Sequence, residues 1–224
     1  MLIAARDEAS RLDATIAALR GALPGAELWV ADDGSRDGTA AVAAAAGARV
    51  AGAGRALGKG GTMTLAARSA LAELDSRAPG EEPVFLLCDG DLGASAAELG
   101  ALVDLVGSGS VDVAIGAFAR SSGGGFGIAL AFARWALRRR CGMRARAPIS
   151  GQRALRARAL RQVLPFARGY GMELGMSIDA VRGGLRVQEL ELELSHRVSG
   201  RTAAGFAHRG RQLADFVRVY VDRR

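Results

Sequence analysis

Two carboxylates one residue apart, Asp89 and Asp91, end the run Val84-Phe85-Leu86-Leu87-Cys88-Asp89-Gly90-Asp91. Carboxylates so close repel each other unless a cation lies between them, and hard oxygen ligands suit Mg²⁺ or Mn²⁺. Such a cation would in turn hold a diphosphate. A solvated turn with an Asp-Gly signal is the plainer reading of the same residues. Upstream lies Gly52-Ala53-Gly54-Arg55-Ala56-Leu57-Gly58-Lys59-Gly60-Gly61. Backbone N–H groups of such a loop can approach phosphates, with Lys59 adding charge. Lys59 is the only lysine among 30 basic residues. The loop is not a Walker A sequence, because Gly60 follows Gly58-Lys59 and Thr62 comes two places late. A bare flexible turn is the alternative. His196, in Ser195-His196-Arg197, offers an imidazole, a common metal ligand, or is a simple surface histidine.

The elements that position these groups follow from periodicity. The apolar run Val84 to Cys88 is too short for a helix and reads as a buried strand, and ligands collect beyond the carboxyl ends of strands in an open α/β sheet. Leu2 to Ala5 reads as a strand entering Arg6-Asp7-Glu8, followed by a helix capped by Ser10 with Leu12, Ile16, Leu19 and Leu23 on one face. Leu28 to Ala31 is a second strand, stopped by Asp32-Asp33-Gly34-Ser35. A helix from about Asp37, a short strand at Arg49–Ala51 and a helix over Thr62–Leu74 come next. This alternation implies parallel strands with crossover helices. Further on, Ser95 reads as the cap of a helix through Val106, Val111–Gly116 as a strand, and Ser121–Gly125 as a mobile loop. Pro148–Arg153 reads as a turn into another helix. Gly169-Tyr170-Gly171-Met172-Glu173 opens a helix ended by Gly183-Gly184. Arg186–Leu194 alternates as a half-exposed strand, and Thr202–Arg224 is a cationic helix with Phe206, Leu213, Phe216, Val217 and Tyr220 on its apolar side.

Bulk properties bound the partners. With 224 residues and half of them apolar, the chain forms a single domain with a substantial core. A net charge of +7 points to an anionic partner, whether nucleic acid, a phosphorylated small molecule or a lipid surface. Nucleic acid ranks last, since there is no zinc finger or RNP-like aromatic pattern. Cys88 and Cys141 fit neither a metal spacing nor a disulfide framework, which indicates a reducing, cytoplasmic setting. Met1-Leu2-Ile3-Ala4-Ala5 has neither the basic region nor the cleavage site of a secretory leader. No apolar run approaches the ~20 residues of a membrane span.

The ordered series of Arg-Asp-Glu, Asp-Asp-Gly-Ser-Arg-Asp-Gly-Thr, Gly-Lys-Gly and Asp-Gly-Asp over residues 2–116 resembles the family-2 glycosyltransferases and related GT-A enzymes. Leu164-Pro165-Phe166, Gly169-Tyr170-Gly171-Met172-Glu173, Ile178-Asp179 and Ser195-His196-Arg197 look like parts of glucosyl-3-phosphoglycerate synthases. Asp7 stands where the family usually has Asn, and Ser150-Gly151-Gln152-Arg153 is not the usual synthase loop. The resemblance implies an α/β, GT-A-like Rossmann-type domain with a mainly parallel central sheet. Its halves would be residues 1–116 for the nucleotide-sugar and 117–224 for the acceptor. It implies donor contacts from Ala5, Glu8, Asp32, Asp33, Lys59, Asp89 and Gly90. Metal ligation would fall to Asp91, Asp89 and His196, and acceptor contacts to Ser150, Gly151, Gln152, Arg153 and Tyr170.

The activity so implied is metal-dependent transfer of a hexose from a nucleotide-sugar to a phosphorylated or carboxylated acceptor. Asp91 and Glu173 would be the catalytic residues. Glu173 would act as a general base on an acceptor hydroxyl or hydrogen-bond the sugar; a helix-N-terminal carboxylate favoured by the macrodipole is the plainer reading. The stretch Ile128–Arg140, with Trp135 and Arg138-Arg139-Arg140, is either a core helix with a solvated end or a helix resting on an anionic membrane, which would make a lipid phosphate the acceptor. A non-catalytic nucleotide-sugar-binding protein is the alternative of another class. A homodimer is compatible with all three.

Overall fold

The computed structural model describes residues 1–119, 127–195 and 203–224, with side chains omitted for 203–209. Seven strands form one sheet: β1 (Leu2–Ala5), β2 (Trp29–Asp32), β3 (Arg49–Ala51), β4 (Val84–Asp89), β5 (Val113–Phe118), β6 (Arg153–Arg156) and β7 (Val187–Leu192). Their order is β3-β2-β1-β4-β6-β5-β7. The first four are mutually parallel, and β5 and β7 are parallel to each other. β6 runs antiparallel between β4 and β5. The expected α/β fold with a mainly parallel sheet is therefore present. The boundary expected at residue 116 falls inside β5.

Among the described residues there are eight α-helices: α1 (Ala9–Ala22), α2 (Thr39–Ala45), α3 (Lys59–Arg77), α4 (Gly100–Gly107), α5 (Gly127–Cys141), α6 (Ala157–Val163), α7 (Met172–Arg182) and α8 (Ala203–Asp222). One buried layer joins Leu12, Ile16 and Leu19 of α1 to Ile3, Val30 and Leu86. The opposite layer joins Met63, Ala66 and Ala67 of α3 to Leu2, Leu87 and Leu155. A third cluster packs α5, α7 and α8 together through Ala133, Leu137, Leu174, Ile178, Phe216 and Val219. Small alanines on these faces let helices approach the sheet closely.

Several local expectations differ from the structure. Pro148–Arg153 leads into strand β6 rather than a helix, because Arg153–Arg156 pairs on both sides and only then does α6 begin. Ser10 lies inside α1, whose cap position is Glu8. Ser95 lies inside a 3₁₀ turn at Gly93–Leu99, where its hydroxyl donates to the Leu92 carbonyl. Lys59 is the first residue of α3, not a loop residue ahead of it. Val217 is 42 % exposed, so it does not belong to the buried side of α8. The Ser121–Gly125 loop and the Phe206 side chain lie outside what the structure describes. Among the described residues no helix is long and apolar enough to cross a membrane.

Candidate active site

The site is built where β1, β2 and β4 end. Asp89 is the last residue of β4, and its carboxylate is gripped from two sides. The Lys59 ammonium donates to Oδ1 at 2.6 Å and Gln152 Nε2 donates to Oδ2 at 2.8 Å. Gln152 Oε1 also accepts the Asp89 backbone N–H at 3.1 Å. The amide can take only this orientation, since a flip would set NH₂ against N–H and oxygen against oxygen. Lys59 also lies 2.7 Å from Glu173 Oε1. Burial acts to lower the Lys59 pKa, but Asp89 and Glu173 more than offset it and the net shift is upward.

Glu173 is 5 % exposed and sits in the first turn of α7, where the helix dipole favours a carboxylate. The 3₁₀ turn Gly169–Gly171 feeds that helix. Gly151 closes the other side. A methyl group there would lie 2.7 Å from Lys59 Nζ and 2.8 Å from Asp89 Oδ2, so a side chain at this position would displace the pair.

The glycine loop is organised by Asp33. Its Oδ1 accepts the N–H groups of Leu57 and Gly58 and the Thr62 hydroxyl, at 2.7, 2.9 and 2.7 Å. Its Oδ2 lies 3.5 Å from Arg6 Nη1. Asp33 therefore fixes the start of α3 and with it the position of Lys59. Thr62, two places late for a Walker loop, lies in the first turn of α3 within reach of this carboxylate. Asp32 accepts the Ser35 N–H at 3.0 Å and lines a cleft of about 570 Å³ with Arg6, Gly34, Ser35, Arg36, Val50, Gly52, Gly54, Arg55 and Ala56. A methyl group on Gly52 would stand 2.7 Å from the Asp32 carbonyl oxygen. Asp7 has φ of 55°, a left-handed conformation that Asn and Asp tolerate best. Its carboxylate accepts the Arg36 N–H at 2.7 Å at the rim of this cleft.

The remaining residues singled out from the sequence divide into two groups. Ala5 is buried, and its carbonyl accepts the Asp33 N–H. Glu8 starts α1, its N–H donating to Thr39 Oγ1. Gly90 ties β4 to its neighbours, its N–H donating to the Ala4 carbonyl and its own carbonyl accepting from Thr15. Asp91 is half-buried one residue beyond Gly90. Ser150 is buried, and its hydroxyl accepts the Gln152 N–H.

Gln152 and Arg153, read toward an acceptor, turn inward instead. Gln152 holds Asp89. Arg153 is 1 % exposed, with Nε donating to the Ser150 carbonyl and Nη1 to Ser177 Oγ. Burial lowers its pKa to about 10, against the pull of Glu173 and Glu189. The Tyr170 N–H donates to Asp215, and burial raises the half-buried phenol's pKa. His196 lies outside the described residues, and among those described no three His, Cys, Asp or Glu side chains gather as a metal cluster.

The geometry thus sets two acids, one ammonium and an arginine-rimmed cleft at one end of the sheet. The chain matches the model of glycosyl transferase family 2 over residues 1–164. Comparison with curated proteins gives no match. Among solved structures, it is similar to glucosyl-3-phosphoglycerate synthase from Mycobacterium tuberculosis in complex with Mn²⁺, UDP and glucosyl-3-phosphoglycerate. Identity is 26 % and the TM-score 0.73, over 97 % of this chain and 78 % of that one. The same synthase with phosphoglyceric acid matches at 25 % identity and a TM-score of 0.76, over 97 % and 78 % of the two chains. Its complex with Mg²⁺ and UDP matches at 25 % identity and 0.76, over 99 % and 77 %. The GT-A-like, Rossmann-type architecture expected from the sequence is shared with these structures, and the chain belongs to glycosyl transferase family 2.

Proposed function

We propose that the chain transfers a hexose from a nucleoside-diphosphate sugar to a small phosphorylated or carboxylated acceptor. The observation that carries this reading is the Lys59 ammonium set between Asp89 and Glu173 at the carboxyl end of the sheet, in a family 2 chain. The arginine-rimmed cleft beside Asp32 takes the nucleotide, with Arg6, Arg36 and Arg55 available to its phosphates. Asp91 and Asp89 supply hard oxygen donors that fit Mg²⁺ or Mn²⁺. Both Asp89 oxygens are already engaged by Lys59 and Gln152, so Asp91 is the principal ligand, with His196 as a further candidate. A bound cation supplies Lewis-acid stabilisation of the departing diphosphate. Lys59 adds a positioned donor where negative charge develops, in a site already organised before substrate arrives. Glu173, at the start of α7, is placed to accept a hydrogen bond from a sugar or acceptor hydroxyl.

The test is a panel of nucleotide-sugars with Mn²⁺, with and without phosphoglyceric acid, read as released nucleoside diphosphate. Release stimulated by the acid supports the reading, whereas nucleotide binding without turnover of any donor would make the chain a non-catalytic binder. Asp91→Ala should abolish turnover while the fold persists, and turnover undiminished by EDTA would remove the cation from the reaction.

A second reading, with a lipid phosphate as acceptor, draws on one observation. Ile128, Trp135, Val217 and Val221, four of the six large exposed apolar residues among those described, lie on α5 and α8. Exposed Arg134, Arg138 and Arg139 accompany them on α5. Salt-reversible flotation with anionic vesicles, lost in a variant lacking Trp135 and the Arg138–Arg140 cluster, would favour it over the soluble acceptor.

A further inference from the structure

The Lys59–Glu173 contact joins two segments more than a hundred residues apart, and its geometry depends on how their backbones meet. They meet at the turn Gly169-Tyr170-Gly171. A methyl group on Gly60 would overlap the Ala167 carbonyl oxygen, and one on Gly58 would lie 3.4 Å from Gly169 Cα. The start of α3 therefore meets the segment from Ala167 to Gly169, which leads into the turn, backbone to backbone, with Lys59 between the two contact points.

From the other side the turn is held by α8. Asp215 Oδ2 accepts the Tyr170 N–H at 3.0 Å. A side chain on Gly169, which has φ of 59°, would overlap the same carboxylate, and one on Gly171 would lie 2.5 Å from Val219 Cγ2. Farther along, Arg223, just past the end of α8, grips Asp179 of α7 through Nε and Nη2, at 2.7 to 2.9 Å. Of these two carboxylate contacts, only that of Asp215 bonds the turn.

We infer that Asp215 is a positioning residue for the transfer reaction: by holding the Tyr170 amide it sets the turn against the start of α3, and so sets the Lys59–Glu173 contact. This rests on the proposed function, since the contact matters to turnover only if the site transfers a sugar. A carboxylate accepting a backbone N–H is a strong, directional hold, and Asn in its place retains an oxygen acceptor of the same reach.

The experiment compares Asp215→Ala, Asp215→Asn and Arg223→Met in the full chain by hydrogen exchange without ligand and by steady-state turnover. Asp215→Ser, too short to reach the Tyr170 amide, replaces the alanine variant if that one does not fold. Asp215→Ala should raise exchange in peptides covering 57–62 as well as 167–173, and Asp215→Asn should restore protection in both. Arg223→Met should raise exchange at the end of α8 and leave 57–62 unchanged. Turnover should fall in kcat on the order of tenfold to a hundredfold for the alanine variant with little change in donor KM, as expected for misplacement of reacting groups.

Unchanged exchange at 57–62 in Asp215→Ala would overturn the coupling. An equal kcat loss in Arg223→Met would also overturn the assignment, because any loosening of α8 would then suffice. If exchange responds as expected but wild type turns over no nucleotide-sugar, the transferase reading falls and Asp215 keeps only its place as a structural coupling.

Discussion

Lys59 Nζ stands 2.7 Å from Glu173 Oε1 and 2.6 Å from Asp89 Oδ1, so one ammonium serves carboxylates from two helix and strand ends distant in sequence. Removing one partner of a buried pair leaves the other uncompensated. Lys59→Ala should weaken nucleoside-diphosphate affinity by about one to two decades, from the loss of a charge-assisted contact of roughly 1.5–3 kcal/mol. It should also lower the melting temperature, and Glu173→Gln should recover part of that loss. A double-mutant cycle in urea measures the recovery, and additive effects would mean that the two groups are not coupled.

Gln152→Leu removes both amide contacts to Asp89 at nearly constant volume. Asp89 then loses the donor to Oδ2 and the acceptor for its N–H. A destabilisation of about 1–3 kcal/mol is expected from the loss of these two hydrogen bonds. Turnover should fall more than donor affinity, since Lys59 and the arginine-rimmed cleft are untouched. Full turnover in Gln152→Leu would show that Asp89 needs no support from the residue entering β6.

Gly60→Ala tests the approach of the two segments. Its methyl group would overlap the Ala167 carbonyl oxygen, and neither backbone can yield without moving α3 or the turn. Overpacking of this kind costs about 1–3 kcal/mol. Thermal unfolding checks it, with exposed Gly21→Ala, which meets nothing within 4 Å, as the control.

Asp112 offers a pH test away from the site. Hydrogen bonds from Arg186 hold its carboxyl well below the usual carboxylate range, and Arg158 adds to this. Oδ2 accepts the Arg186 N–H at 2.9 Å and its Nε at 3.0 Å. A depressed folded-state pKa contributes stability that is present above about pH 4, the unfolded value, and is lost as pH falls toward the folded one. Asp112→Asn should therefore be less stable at pH 7, and the gap to wild type should narrow below about pH 4. A gap of constant size in urea melts from pH 7 down to pH 3 would refute the linkage.

The parallel frame was legible because β1 to β4 are short apolar runs separated by amphipathic helices, and local pattern suffices for that. β6 was not legible. Ser150-Gly151-Gln152-Arg153-Ala154-Leu155-Arg156 has polar residues where buried strand positions fall, and their burial is made possible only by Asp89 and Ser177 on other elements. Asp89, Lys59 and Glu173 were each recognisable by type and setting. Their meeting was not, because it depends on Gly60 letting two backbones approach and on Gly151 and Gly169 leaving room for the Lys59, Asp89 and Asp215 side chains, which no spacing rule encodes. Asp33 illustrates the same limit: its place beside Asp32 stood out, yet the three donors on one of its oxygens come from a loop more than twenty residues on.

Inserting β6 between β4 and β5 also shapes how the chain can be synthesised. Until Arg153–Arg156 leaves the ribosome, β4 has β1 on one side and no neighbour on the other, so a nascent chain presents Val84-Phe85-Leu86-Leu87-Cys88 as an apolar edge. Edges of this kind template intermolecular pairing. Glu81, Glu82 and Pro83 stand on one flank of the run and Asp89 and Asp91 on the other, the charges and proline that discourage such pairing. The acidic pair at the end of β4 would then guard an unfinished sheet before it ever meets a substrate.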